Sequence, residues 1–220
     1  MICIVTDRQR FSAGANGIDR VVELAHAAAR AGIDLFQIRE RDLDARTLTA
    51  LAARCRAAAE GTRTRILVND RADVAVAAAA HGVHLRADSF SAPAARLVVG
   101  KDATIGRSVH TVQEATEEAR AGAVNYLIFG TMHQTPSKMA AHSIATVDDL
   151  RNVCSAAAGH PVLAIGGMTV EGAAEVARAG AAGIAGISLF VPPGGRSVDQ
   201  HLQEVAAELR RVFDTCGAVP

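Results

Sequence analysis

The stretch A-R-A-G-A-V-N-Y-L-I-F-G-T, residues 119–131, decides the fold, because it carries two periodicities joined by a glycine. Its first part closes an Ala-rich amphipathic helix, where Gly122 supplies a left-handed cap. Its second part is a short continuous apolar run, as expected of a parallel strand buried on both faces. The same pattern recurs as A-A-A-R-A-G-I-D-L-F-Q-I-R (27–39), A-A-A-A-H-G-V-H-L-R (77–86) and A-R-A-G-A-A-G-I-A-G-I-S (177–188). Further strands fit Ile2–Val5, Ile66–Val68, Thr104–Gly106 and Val162–Ile165, which brings the count to eight. Helical periodicity fills the intervals at Asp44–Ala59, Thr111–Ala121, Thr146–Ala157, Thr169–Ala179 and Val198–Val212, with Thr111 and Thr169 placed as N-caps. Eight strands alternating with helices predict one α/β domain over residues 1–220, a (β/α)8 TIM barrel. An open doubly wound sheet that binds a dinucleotide would want a glycine-rich turn after its first strand, and Val5-Thr6-Asp7-Arg8 has none.

Composition agrees with a buried core and excludes several functions. Of the 220 residues, 50% are hydrophobic but only 3% are aromatic, so the core must be built from Ala, Val, Leu and Ile. Lys+Arg and Asp+Glu balance at 23 each. No bulk field therefore attracts nucleic acid or an anionic membrane, and any anionic ligand needs a local site. The four cysteines are scattered without C-x-x-C spacing and read as reduced, buried hydrophobes. M-I-C-I-V-T-D turns polar too early for a signal peptide, and no apolar run nears the ~20 residues of a membrane span. The expectation is a cytoplasmic protein whose neutral, Ala-rich surface would tolerate a homo-oligomer.

In such a barrel the C-terminal strand ends form the active-site mouth, and here nearly every one carries functional groups. Gln37, Arg39 and Arg41 follow the second strand and share one side of an extended backbone. Two guanidiniums there suit a phosphate or carboxylate; the structural alternative pairs them with Glu40, Asp42 or Asp44. Asn69 and Asp70 follow the third strand. A carboxylate there is a candidate magnesium ligand or a helix cap. Arg107, Ser108 and His110 end the fifth strand, with His110 suited to proton transfer near neutral pH. His84 alternates with Val83 and Leu85 and is expected in the barrel packing. Thr135, Ser137 and Lys138 follow the sixth strand and would clamp an anion. Gly166 and Gly167, then Gly186, Ile187 and Ser188, end the last two strands, the usual phosphate position of barrels.

Taken together, Q-I-R-E-R (37–41), L-V-N-D-R-A-D-V-A (67–75), G-V-H-L (82–85), I-G-R-S-V-H-T (105–111), F-G-T-M-H-Q-T-P-S-K (129–138) and A-I-G-G-M-T (164–169) resemble the thiamine phosphate synthase/TenI family along nearly the whole chain. The resemblance implies one of two chemistries on a phosphorylated thiazole. A synthase joins a pyrimidine diphosphate to thiazole phosphate with Mg2+ and releases pyrophosphate. A TenI-type tautomerase moves a proton to aromatise a carboxythiazole phosphate and needs no cofactor.

The branch rests on details. The synthase pattern has a second metal-binding Asp in G-Q-x-D after the G-V-H-L block, whereas this chain reads Arg86-Ala87-Asp88-Ser89. It also normally carries Lys where this chain has Arg41. These departures, with R-E-R, S-F-S (89–91) and I-G-R-S-V-H, favour the tautomerase, with His110 as general acid/base and Arg39 and Arg107 facing the substrate carboxylate. Gln37, Asn69-Asp70 and the Thr135–Lys138 loop favour the synthase, with Asp70 and Asp88 as its metal ligands. A phosphate-binding barrel without catalysis and a sugar-phosphate isomerase are the readings from other classes.

Overall fold

A computed structural model describes residues 1–10, 17–133 and 144–216. Its strands are β1 Ile2–Val5, β2 Leu35–Ile38, β3 Arg65–Asn69, β4 Gly82–Leu85, β5 Thr104–Val109, β6 Tyr126–Phe129, β7 Val162–Ile165 and β8 Gly183–Gly186. The helices that follow them in turn are α1 Gly17–Arg30, α2 Ala45–Ala58, α3 Ala72–Ala77, α4 Ala92–Val99, α5 Val112–Ala121, α6 Val147–Ala156, α7 Ala173–Arg178 and α8 Val198–Cys216. Each strand pairs in parallel with the next and β8 closes on β1, so the sheet is a closed (β/α)8 barrel in the predicted order.

Side-chain alternation divides this barrel into two cores. Outward residues such as Ile4, Phe36, Val68, Val83, Ile105, Leu127, Ala164 and Ile184 pack against the helices. Inward residues Cys3, Val5, Leu35, Leu67, Tyr126, Ile128, Leu163 and Ala185 fill the barrel itself. Burying a large apolar side chain contributes roughly 1.5–3 kcal/mol. The shell around the sheet, which holds Leu24, Ile33, Phe36, Leu51, Phe129 and Leu209, is therefore the main source of stability.

Caps follow the sequence with instructive exceptions. Asp44, Thr111 and Thr146 each accept a hydrogen bond from the third residue of their helix, and Asp149 completes a capping box with Thr146. Gly122 ends α5 in the left-handed conformation at φ 63°. After α3 that role falls to Ala79, at φ 49°, because Gly82 is already part of β4. Thr169 does not cap α7: its hydroxyl accepts from the Gly172 N–H at 3.1 Å, which closes a turn that postpones the helix to Ala173. Strand β5 runs to Val109 rather than Gly106, held by the pairing of Val109 with Phe129. Among the described residues no helix is long and apolar enough to cross a membrane.

Candidate active site

Each candidate is positioned by the strand it ends. Gln37 and Asn69 both point into the barrel from neighbouring strands, and the Gln37 amide donates to Asn69 Oδ1 at 2.9 Å. Arg39 lies two residues beyond Gln37. Its backbone N–H donates to Thr6 Oγ1 at 3.0 Å, while the Thr6 hydroxyl donates to Glu40 at 2.6 Å. Glu40 is 5% exposed and also accepts from the backbone and side chain of Arg8. Arg8 occupies Asp42 as well, and Asp44 is taken by Thr47. All three acids beside Arg39 and Arg41 are thus engaged elsewhere. Among the described residues neither guanidinium has an ion pair. Burial, with Arg41 adding its repulsion, draws the Arg39 pKa below its ordinary value. Two guanidiniums without an ion pair among the described residues, beside a carboxamide pair, could hold an anion next to a polar floor.

Asp70 ends β3 in the left-handed region at φ 62°, a conformation Asp tolerates better than most residues. Its N–H donates to the His84 carbonyl at 2.8 Å. One carboxylate oxygen accepts from the Ser89 hydroxyl, and the other stands 3.8 Å from Arg86 Nε. Asp88 does not join it. That side chain is mostly exposed and paired with Arg86, which occupies its carboxylate in this arrangement. Ser89 instead donates its hydroxyl to the Asp70 carboxylate. Among the described residues no three His, Cys, Asp or Glu side chains converge. One carboxylate with a neighbouring hydroxyl is still compatible with magnesium, which commonly takes one or two carboxylates and draws its remaining ligands from water and substrate phosphate.

Arg107 is the clearest departure from expectation. Because β5 continues through it, Arg107 alternates outward, away from the mouth. Its guanidinium donates to the carbonyls of Phe90 at 2.7 Å and Ala87 at 3.0 Å, and its Nε lies 3.3 Å from Glu118. It holds the loop after β4 against α5 and cannot also meet a substrate carboxylate. Ser108 alternates inward. His110, exposed at the rim, sets Nδ1 at 2.8 Å from the Gly130 carbonyl oxygen, while its backbone N–H donates to Glu114 at 2.6 Å. A carbonyl only accepts, so Nδ1 is the donor in this contact.

The glycine strand ends sit side by side. Gly166 and Gly167 have φ of 107° and 60°. A Cβ on Gly166 would stand 2.6 Å from the Thr131 side chain, so only glycine fits where the loops after β6 and β7 meet. Those loops are laced by Met132 N–H to Ile165 O at 2.9 Å and His133 N–H to Gly166 O at 3.1 Å. On the adjacent strand end, Gly186 and Ile187 lead into a 3-10 turn at Ser188–Phe190. Thr135, Ser137 and Lys138 lie outside the described residues.

One group was not singled out by the strand-end argument. Inside the barrel His84 Nδ1 lies 2.9 Å from the Tyr126 hydroxyl, and Nε2 lies 3.0 Å from Ser108 Oγ. Burial, with the Arg107 charge adding to it, pushes the His84 pKa down to about 3. The available signal was the lone tyrosine of the chain, which its register places opposite Gly106.

The fold and site together define a (β/α)8 barrel that gathers cations, carboxamides, a carboxylate and glycine-rich turns at its C-terminal mouth, the arrangement of barrel enzymes acting on phosphorylated small molecules. A family profile described as thiamine monophosphate synthase matches residues 2–190. The thiamine-phosphate synthase of Roseiflexus castenholzii is 36% identical over 209 residues, spanning 94% of this chain and 89% of that protein. The enzyme of the same name from Methanoculleus marisnigri is 36% identical over 196 residues, spanning 86% and 90%. The thiamine phosphate pyrophosphorylase structure from Pyrococcus furiosus superposes with a TM-score of 0.78 at 26% identity, covering 98% of this chain and 96% of that one. The chain belongs to the thiamine phosphate synthase/TenI family. The names of these relatives stand with the synthase branch rather than with the tautomerase that sequence details favoured.

Proposed function

We propose that the protein is a thiamine-phosphate synthase, joining a pyrimidine diphosphate to a thiazole phosphate with release of pyrophosphate. The observation that carries this reading is the pair of arginines without an ion pair among the described residues, Arg39 and Arg41, beside the Gln37–Asn69 amide pair. A carboxamide pair offers both a donor and an acceptor to the edge of a heterocycle. The two guanidiniums match a diphosphate rather than the single carboxylate of a tautomerase substrate.

In this reading the C–O bond to the diphosphate breaks while the thiazole nitrogen bonds to the pyrimidine methylene carbon. Arg39 and Arg41 bind the diphosphate and stabilise the charge that grows on it as it leaves. Asp70 and Ser89 would hold magnesium, which when bound supplies further positive charge to the leaving group. Gly166, Gly167, Gly186, Ile187 and Ser188 anchor the thiazole phosphate through backbone N–H groups, and Thr135, Ser137 and Lys138 are proposed to bind the diphosphate.

A second reading keeps the tautomerase, supported by the position of His110 at the rim of the mouth, where the Gly130 carbonyl orients its ring. One experiment separates the two. The protein is incubated with pyrimidine diphosphate plus thiazole phosphate, and separately with the carboxythiazole tautomer, each with and without chelator. Pyrophosphate release that stops with chelator supports the synthase. Isomerisation indifferent to chelator, without pyrophosphate release, would replace it with the tautomerase.

A further inference from the structure

The polar chain inside the barrel has a direction. Gly106 has no side chain because Tyr126 occupies the space: a Cβ there would stand 2.1 Å from the tyrosine Cζ. The Tyr126 ring is fully buried among Cys3, Leu35, Leu67 and Leu163. Burial raises its pKa well above the ordinary value, so the hydroxyl keeps its proton. A buried O–H must donate, and its hydrogen-bond partner among the described residues is His84 Nδ1. That nitrogen therefore presents its lone pair. His84 is itself buried and held neutral, so its one ring proton sits on Nε2, which donates to Ser108 Oγ. The Ser108 oxygen accepts from the interior, and its own O–H turns towards the mouth, where that residue is partly exposed.

We propose that Tyr126 and His84 form a relay of fixed polarity that makes Ser108 a hydrogen-bond donor to the bound substrate, so that the substrate must present an acceptor atom there, an unprotonated ring nitrogen or a phosphate oxygen. Tyr126 and His84 are positioning residues: they act on substrate through Ser108 alone. The direction of the relay stands on the barrel interior, whereas its effect on turnover rests on the synthase reading.

Two measurements test it. Nitrogen-15 NMR of the intact protein, with the His84 signal identified by its loss in His84→Gln, is expected to show the proton on Nε2. A proton on Nδ1 would overturn the relay whatever the protein's activity. For the second, Tyr126→Phe frees Nδ1 to take the proton and lets Nε2 accept from Ser108. This is expected to raise KM for the pyrimidine diphosphate about tenfold, the scale of one hydrogen bond, with a smaller change in kcat. In a Ser108→Ala background the same substitution should change nothing. An equal effect of Tyr126→Phe in both backgrounds would show a merely structural role and sink the proposal. Binding of inorganic pyrophosphate and of the unphosphorylated hydroxymethylpyrimidine to Ser108→Ala identifies the acceptor's source. Weakening of either ligand supports the donor role, and weakening of neither opposes it. If Tyr126→Phe fails to fold, the wild-type NMR spectrum still decides. A protein with Nε2–H but no synthase turnover would dismiss the synthase reading and leave the relay standing.

Discussion

His110 Nδ1 and the carbonyl oxygen of Gly130 lie 2.8 Å apart, which ties the end of β5 to the end of β6 and fixes the imidazole at the rim of the mouth. The contact fixes the orientation of the ring, and substitution of the ring makes the role of His110 measurable. In the synthase reading, His110→Gln should retain pyrophosphate release within about tenfold. That is well short of the roughly 10²–10⁴-fold loss that follows removal of a general acid/base. Isomerisation of the carboxythiazole phosphate that vanishes in the same variant would restore the tautomerase reading.

In the synthase reading Asp70 supplies the carboxylate that would hold magnesium. Asp70→Asn keeps a residue at ease in the left-handed conformation at φ 62° while removing the charge. Turnover should fall on the order of 10²–10³-fold, the scale of losing one preorganised transition-state contact. The magnesium concentration for half-maximal rate should rise as well. Asp88→Asn, altering an exposed side chain bonded to Arg86, should leave both quantities within about twofold of wild type. A large effect at Asp88 with none at Asp70 would reverse the assignment.

Two arginines read alike in sequence should part in the assay. Arg39→Ala removes a guanidinium with no ion pair among the described residues, so it should weaken pyrophosphate binding by about 10- to 100-fold at little cost to folding. Arg107→Ala removes the partner of the half-buried Glu118 and of two partly buried carbonyls. Such a loss destabilises by about 3–5 kcal/mol, and denaturant titration should register it while pyrophosphate affinity in the folded fraction stays near wild type.

Stability should fall on mild acidification. His84 has a pKa near 3 in the folded barrel, pushed there first by burial, against ~6.5 when unfolded. Between those values the unfolded chain binds the extra proton. The contribution is therefore complete above about pH 6.5 and is lost as pH falls towards 3. His81, lowered to about 4 chiefly by burial, acts in the same direction. Urea midpoints from pH 7 to pH 4.5 should decline in the wild type and decline less in His84→Gln. Equal slopes would show that His84 is not held neutral.

Strand order, helix spacing and most caps could be read directly, because two periodicities and recurring helix-end signals repeat along the chain. Gln37, Asn69 and Arg39 were legible for the same reason: alternation from a short strand leaves little choice of side. Arg107 was misread because β5 is longer than its apolar run, so the residue lies within the strand rather than beyond it. That Ser89 rather than Asp88 meets Asp70 depends on loop conformation, which spacing does not encode. The chain from Tyr126 to Ser108 needs the partners of three strands at once, and that register exists only after the barrel closes.

Strand β5 places consecutive residues in separate compartments: Arg107 braces the outer shell and Ser108 faces the chemistry. Substitutions at the two positions can therefore accumulate independently during divergence. A one-residue insertion or deletion cannot be absorbed so easily, since a slip by one sends the cation into the chamber and the hydroxyl under the helices. Lineages descending from this barrel should change positions 107 and 108 independently of each other but keep the length of β5 invariant.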